Sequence, residues 1–261
     1  MSAPRSRIRV EENGPVLEIT FDHPPAHAFD QRASRDLDAA FDLLRDAPHL
    51  RCAIVTATGE RIFSAGWDLK AVAAGDRGED FGAHGFMGLE RFDLNKPVIA
   101  AVNGLAVGGG FEFALVANLV ICTPEAEFGL PELQRGFIPE AGGLWRVQRR
   151  LPANIACELL LTGRRLTAEE GLRLGFVNRI VPHAGLLAAA REMAQQILRA
   201  APLAVEALLE ISRTVEGLQD QQAFRRMRSG LSAHLRMRRS ADFLEGPRAF
   251  AEKRPPRWQG R

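Results

Sequence analysis

Residues 96–122 run KPVIAAVNGLAVGGGFEFALVANLVIC. Lys96-Pro97 opens an apolar run, Val98-Ile99-Ala100-Ala101-Val102, which Asn103-Gly104 closes. A short apolar run between turn signals reads as a buried strand. Three consecutive glycines, Gly108-Gly109-Gly110, then lead into Phe111-Glu112-Phe113-Ala114-Leu115-Val116-Ala117, an apolar helix with one acid near its start. Leu119-Val120-Ile121-Cys122 is a further buried strand. Buried strands alternating with helices imply an α/β fold built on a mostly parallel sheet covered on both faces.

The flanks extend this pattern. Upstream, a turn at Asn13-Gly14 precedes a strand over 16–21, which His23-Pro24-Pro25 stops. Over 31–45, Leu37, Ala40, Phe41 and Leu44 recur at helical spacing. Cys52-Ala53-Ile54-Val55-Thr56 is another apolar strand, followed by Phe63-Ser64-Ala65-Gly66-Trp67-Asp68-Leu69 and a glycine-rich adaptable loop over 75–88. Downstream, Phe128-Gly129-Leu130-Pro131-Glu132 is an extended edge running into a loop, and 136–143 is turn-rich. Helices are expected up to Leu151 and over 155–161. Thr167 with Glu170 forms a capping box, and 175–181 reads as a short strand. Beyond Pro182 the pattern is nearly all helix, so the expected division is a core over 1–200 and a helical C-terminal region over 201–261.

Bulk properties narrow the function. The 261 residues are 46% hydrophobic and 25% charged, the balance of an ordinary globular chain. A net charge of +2 and no reader motif argue against nucleic acid as a partner. The charge is uneven: 223–261 holds eleven Lys or Arg against three Asp or Glu, which suits either a solvated basic face or an anionic small ligand. Cys52, Cys122 and Cys157 lack metal or redox spacing and read as buried free thiols of a reducing, cytoplasmic compartment. Arg5, Arg7 and Arg9 are followed by no apolar segment, so neither a signal peptide nor a membrane span is expected. The six histidines have no metal spacing, and the absence of a GxSxG elbow disfavours a serine hydrolase.

Chemistry concentrates at the glycine turns. Gly108-Gly109-Gly110 lets a ligand approach the backbone and leaves helix-start N–H groups pointing outward, the requirement for an oxyanion hole. A plain tight turn remains an alternative. Glu112 either exploits the helix N-terminus or merely caps it, and Glu132 is either functional or a surface loop acid. The turn at Ala65-Gly66-Trp67-Asp68 offers a second inward N–H, unless Trp67 is a core aromatic and Asp68 an N-cap.

Together these segments resemble the crotonase, or enoyl-CoA hydratase/isomerase, family over nearly the whole chain. The resemblance rests on 63–69, on 96–104, on Gly108-Gly109-Gly110-Phe111-Glu112, on Phe128-Gly129-Leu130-Pro131-Glu132 and on Gly136-Phe137-Ile138-Pro139, in this order and spacing. Within the family, 66–71, 81–86 and 244–254 look most like its carnitine-type dehydratases. The resemblance implies a crotonase-like spiral of ββα units with C-terminal helices used in trimerisation, as a homo-oligomeric trimer or dimer of trimers. It implies an acyl-CoA thioester substrate and no cofactor or metal beyond the coenzyme A of that substrate. Matched residue by residue, the oxyanion donors fall at Trp67 and Gly109, and the carboxylates at Glu112 and Glu132. Coenzyme A would pass Ala65 and Asp68, and Lys253 or Arg254 would meet its phosphates.

One departure stands out. Many simple hydratases of the family have glycine after the proline at 139, whereas this chain has Glu140. The carnitine-type enzymes also place an acid there, so Glu140 is expected to face the distal acyl pocket and pair with a cationic end, aided by cation–π attraction from Trp67 or a nearby phenylalanine. A solvent-facing loop acid is the alternative. Hydration or dehydration of a 2-enoyl-CoA is the expected reaction; a double-bond isomerase and a non-catalytic acyl-CoA binder are the other classes.

Overall fold

Alternation decides the layers. Along the strand at 52–57, Cys52 and Ile54 face one side, and Ala53 and Val55 the other, yet all four are fully buried. Such a strand has to be covered on both faces. The computed structural model describes residues 6–78, 80–90 and 92–261; Arg5 of the basic N-terminal stretch and Glu79 of the expected loop lie outside them. The strands are β1 (Ile8–Asn13), β2 (Val16–Phe21), β3 (Cys52–Ala57), β4 (Ile62–Ser64), β5 (Val98–Val102), β6 (Leu105–Val107), β7 (Leu119–Cys122), β8 (Glu127–Gly129), β9 (Leu166–Thr167) and β10 (Arg179–Ile180). The helices are α1 (Gln31–Asp46), α2 (Leu69–Ala73), α3 (Gly109–Val116), α4 (Gly143–Arg150), α5 (Ala153–Thr162), α6 (Ala168–Arg173), α7 (Leu186–Leu198), α8 (Pro202–Val215), α9 (Asp220–Arg228), α10 (Ser232–Arg239) and α11 (Ala241–Ala251).

Two sheets result, in the orders β1-β2-β3-β5-β7-β10 and β4-β6-β8-β9. The repeat is visible in the pairing. β3-β4-α2, β5-β6-α3 and β7-β8 with the 3-10 turn Glu132–Arg135 each give their first strand to the larger sheet and their second to the smaller. Successive first strands pair in parallel, as do successive second strands, which is the ββα spiral. The core on one face of the larger sheet is rich in phenylalanine: Phe21 lies 5.1 Å from Phe63 and 5.8 Å from Phe113 between ring centroids. On the other face, α7 lays Leu186, Ala190 and Ala194 against Cys52, Ile54, Ile99 and Ile121.

Local expectations mostly hold, with informative exceptions. Asp30 caps α1 through its carboxylate on Ala33 N–H at 2.9 Å. Thr167 caps α6, accepting from Glu170 N–H at 3.2 Å, and the Glu170 carboxylate answers the Thr167 N–H while also taking the Arg164 fork at 2.9 Å. The expected strand over 175–181 shrinks to β10, since Phe176 and Val177 donate to Gly171 O and finish the turn of α6 instead. Cys157 is exposed, so only Cys52 and Cys122 are buried thiols; burial pushes them up to about 11 and about 12. In the C-terminal part α8 packs on α9 and α10, and α10 on α11. Its outer side leaves Leu244 64% and Phe250 87% exposed. No helix among the described residues is long and apolar enough to cross a membrane.

Candidate active site

The two glycine turns meet. Gly66 has φ +76°, and a Cβ there would lie 2.5 Å from Gly109 N. Only a residue without a side chain permits that approach. A Cβ on Gly110 would likewise collide with Ser64 O. The turn after β4 therefore rests directly on the start of α3.

This contact brings two N–H groups to one cavity. Phe29 N–H donates to Gly66 O, and Asp68 N–H donates to Phe29 O, both at 2.8 Å. These bonds straddle Trp67 in a parallel bridge, so the Trp67 N–H points to the opposite side from Phe29. In α3 the first i→i−4 bond is Glu112 N–H to Gly108 O at 2.9 Å, which leaves the Gly109 N–H ahead of the helical ladder. Trp67 and Gly109 both line a cavity of about 620 Å³.

Glu112 and Glu132 line the same cavity. Glu112 is only 3% exposed, and its Oε1 accepts from Gly143 N–H at 2.8 Å. Burial pushes its carboxyl up to about 7, reinforced by the nearby Glu132 charge and opposed by the Gly143 bond and Arg146. The helix N-terminus favours the charged form, but desolvation outweighs it. Glu132 stands at the head of the 3-10 turn, where burial also holds it at about 7. Among the described residues its Oε2 is buried with no hydrogen-bond partner. A Cβ on Gly108 would come 3.1 Å from its Oε1, so the glycine gives this carboxylate its room. Two carboxyls with strongly raised proton affinity in one cleft are suited to exchanging protons near neutral pH.

Ala65, Asp68 and Glu140 also line the cavity. Asp68 caps α2 as well, accepting from Lys70 N–H at 3.0 Å and Ala71 N–H at 3.3 Å. Lys253 and Arg254 are not among its lining residues. The Arg254 guanidinium instead forks onto Glu245 at 2.6 and 3.0 Å and meets Glu252 at 2.6 Å. Sequence reasoning expected Trp67 or a nearby phenylalanine at the distal pocket but did not single out the rest of the wall. Trp67 packs against Phe81, Phe86 and Phe137 with centroids 5.8, 6.4 and 6.4 Å away. Glu90 joins Glu140 there, and neither carboxylate is in an ion pair among the described residues. Lys70, Arg77 and Arg135 are further cations on the lining. Among the described residues no group of three or more His, Cys, Asp or Glu could hold a metal ion.

Comparison with known proteins gives concordant likenesses. The family described as enoyl-CoA hydratase/isomerase matches residues 11–261. A carnitinyl-CoA dehydratase of Salmonella arizonae is 54% identical over 256 residues, covering 97% of this chain and 98% of that protein. The crystal structure of an enoyl-CoA hydratase from Mycobacterium tuberculosis superposes with a TM-score of 0.90 at 38% identity, covering 98% of this chain and all of that one. A carnitinyl-CoA hydratase structure from Mycobacterium avium has a TM-score of 0.77 at 38% identity, covering 99% and 100% of the two chains.

Proposed function

The chain belongs to the enoyl-CoA hydratase/isomerase family and is a lyase of the hydratase type, and we propose that it reversibly hydrates a 2-enoyl-CoA whose acyl end is cationic, with crotonobetainyl-CoA and carnitinyl-CoA as the substrate pair. The observation that carries the reading is the meeting of Glu112, Glu132 and two outward backbone N–H groups in one cavity.

In this reading the thioester oxygen lies between the N–H groups of Trp67 and Gly109. As charge moves onto that oxygen, donors fixed in advance stabilise the enolate without reorganising. Glu112 holds and activates water for attack at Cβ, and protonated Glu132 delivers a proton to Cα. The hydroxyl ends on Cβ and the hydrogen on Cα; dehydration runs the same steps backwards. Because the two carboxyls interact, the pH dependence belongs to the pair. Coenzyme A enters as part of the substrate, past Ala65 and Asp68, and no other cofactor is needed. Lys253 and Arg254 are not among this cavity's lining residues, and in this reading an adjoining subunit presents them to the coenzyme A phosphates. The exposed Leu244 and Phe250 support such a homo-oligomer, a trimer or dimer of trimers; sedimentation as a monomer would contradict it. Two buried free thiols support a cytoplasmic setting.

The wall supports the cationic end. Trp67, Phe81, Phe86 and Phe137 line it with aromatic rings, and Glu140 and Glu90 supply negative charge that is in no ion pair among the described residues. A desolvated cation over aromatic faces gains about 2 kcal/mol per strong contact, and roughly tenfold in binding for each 1.4 kcal/mol. The test compares crotonobetainyl-CoA with its neutral carbon isostere, 5,5-dimethylhex-2-enoyl-CoA, by loss of the enoyl-thioester absorbance. We expect kcat/KM to favour the cation by about tenfold or more, and Glu140→Gln to erode that preference selectively. Equal rates on both substrates, equal loss on both, or positional isomerisation without hydration would contradict the reading.

A further inference from the structure

Arg146 of α4 does not line the cavity, yet it ties two parts of its wall together. Its Nη1 donates to Ala141 O at 2.6 Å, and its Nη2 donates to Leu89 O at 2.7 Å. A planar guanidinium holds two acceptors at a fixed spacing, which a lysine cannot reproduce. Ala141 leads into Gly142-Gly143, and Gly143 N–H holds Glu112 Oε1 at 2.8 Å. Leu89 closes the 3-10 turn Phe86–Gly88, and the Phe86 ring fills the space that a Cβ on Gly109 would need. One guanidinium thus stands between the segment that holds Glu112 and the ring packed on Gly109.

The place for it is built into the backbone. Gly142 has φ +100°, and a Cβ there would strike Arg146 Nη1. The cation is largely desolvated and forms no ion pair among the described residues, being satisfied by carbonyls instead. A half-buried cation held by carbonyls, with no carboxylate in an ion pair with it among the described residues, is a poor device for stability alone.

We propose that Arg146 is a positioning residue for the hydration reaction, holding the 141–143 loop and the 86–89 turn at the spacing that presents Glu112 and Gly109 to one thioester. This inference rests on the roles given above to Glu112 and Gly109. The charge of Arg146 has a second consequence. Glu112 is faced by Glu132 from the 3-10 turn and by Arg146 from α4, and these act on its proton affinity in opposite directions. Removing the cation therefore moves the pH limb that carries Glu112 upward, whichever way its proton travels.

The test uses the full chain, with Arg146→Lys and Arg146→Met assayed for kcat, KM and pH profile on an enoyl-CoA substrate that the wild type hydrates. Arg146→Lys keeps the charge and loses the fork. Its kcat is expected to fall by about tenfold to a hundredfold, as for small misplacements of reacting groups, with KM changing far less and the pH limb unmoved. Arg146→Met is expected to show a similar loss in kcat and a limb displaced to higher pH. A folded Arg146→Lys with wild-type kcat overturns the proposal. So does a loss confined to KM, or an Arg146→Met that is slower with an unmoved limb, the signature of a merely structural role. If Arg146→Met does not fold, Arg146→Lys decides alone. An inactive wild type, or Glu112→Gln at full rate, would defeat the functional reading instead. An inactive Glu112→Gln beside unaffected Arg146 variants would defeat this inference only.

Discussion

Glu112 and Glu132 are single side chains whose surroundings work against their charge. Burial is the largest cause in both, and each sits at about 7 against an ordinary 4.5. Between these values the folded chain binds more protons than the unfolded one, so stability falls as pH rises through that window and levels off above it. Glu112→Gln removes the cost of one buried charge. It should raise the midpoint of thermal unfolding at pH 8 by an amount reflecting on the order of 3 kcal/mol at most, and the gain should vanish near pH 4.5. Scans at the two pH values check this; destabilisation at pH 8 would contradict it. The sequence located both acids because each follows a turn motif that a family resemblance could match. Arg146 gave no signal, since its partner Leu89 is 57 residues away and its own neighbourhood reads as an ordinary helix start. Glu90 was hidden likewise, just past a glycine-rich stretch without periodicity, and Phe86 entered only as part of the 81–86 resemblance, with no place on the wall assigned to it.

At the scale of elements, what matters is that one turn rests on another. β3, β5 and β7 were legible because strands buried on two faces are apolar runs, and β2 because a turn at Asn13-Gly14 precedes it and His23-Pro24-Pro25 stops it. β4, β6 and β8 have three residues each, too few for any period to register, and of these β8 alone was anticipated, as the extended edge at 128–132. β1 was missed for another reason: after Ile8 all its residues are exposed, and Arg9, Glu11 and Glu12 give no apolar alternation. Yet the short strands of the smaller sheet are what carry the turns to the cavity. Gly66→Ala tests their contact, because the added methyl must displace Gly109 N or the turn itself. The strain at its positive φ costs about 1–3 kcal/mol, which a folded chain of this size can absorb. Loss of one aligned oxyanion donor should lower kcat by about a hundredfold or more while the fold persists. A folded Gly66→Ala enzyme at wild-type rate would show that these turns do not form the donor pair.

For the whole molecule, the ββα repeat explains why residues scattered along the chain meet. Each repeat delivers a turn to one edge of the smaller sheet, and the 3-10 turn of the third brings Glu132 opposite the helix start of the second. That register across repeats could not be read from local pattern; it followed only from matching five motifs at once. The basic C-terminal block, by contrast, was readable as composition but not as geometry, since Arg254 is held by Glu245 and Glu252. The most direct measurement of the two-carboxylate account is hydration of an accepted enoyl-CoA substrate by Glu112→Gln and Glu132→Gln, with acyl-CoA affinity measured in parallel. Each substitution should lower kcat by about 10²–10⁴-fold and leave affinity within a few fold of wild type. A folded glutamine variant of either residue that turns over at the wild-type rate would contradict it.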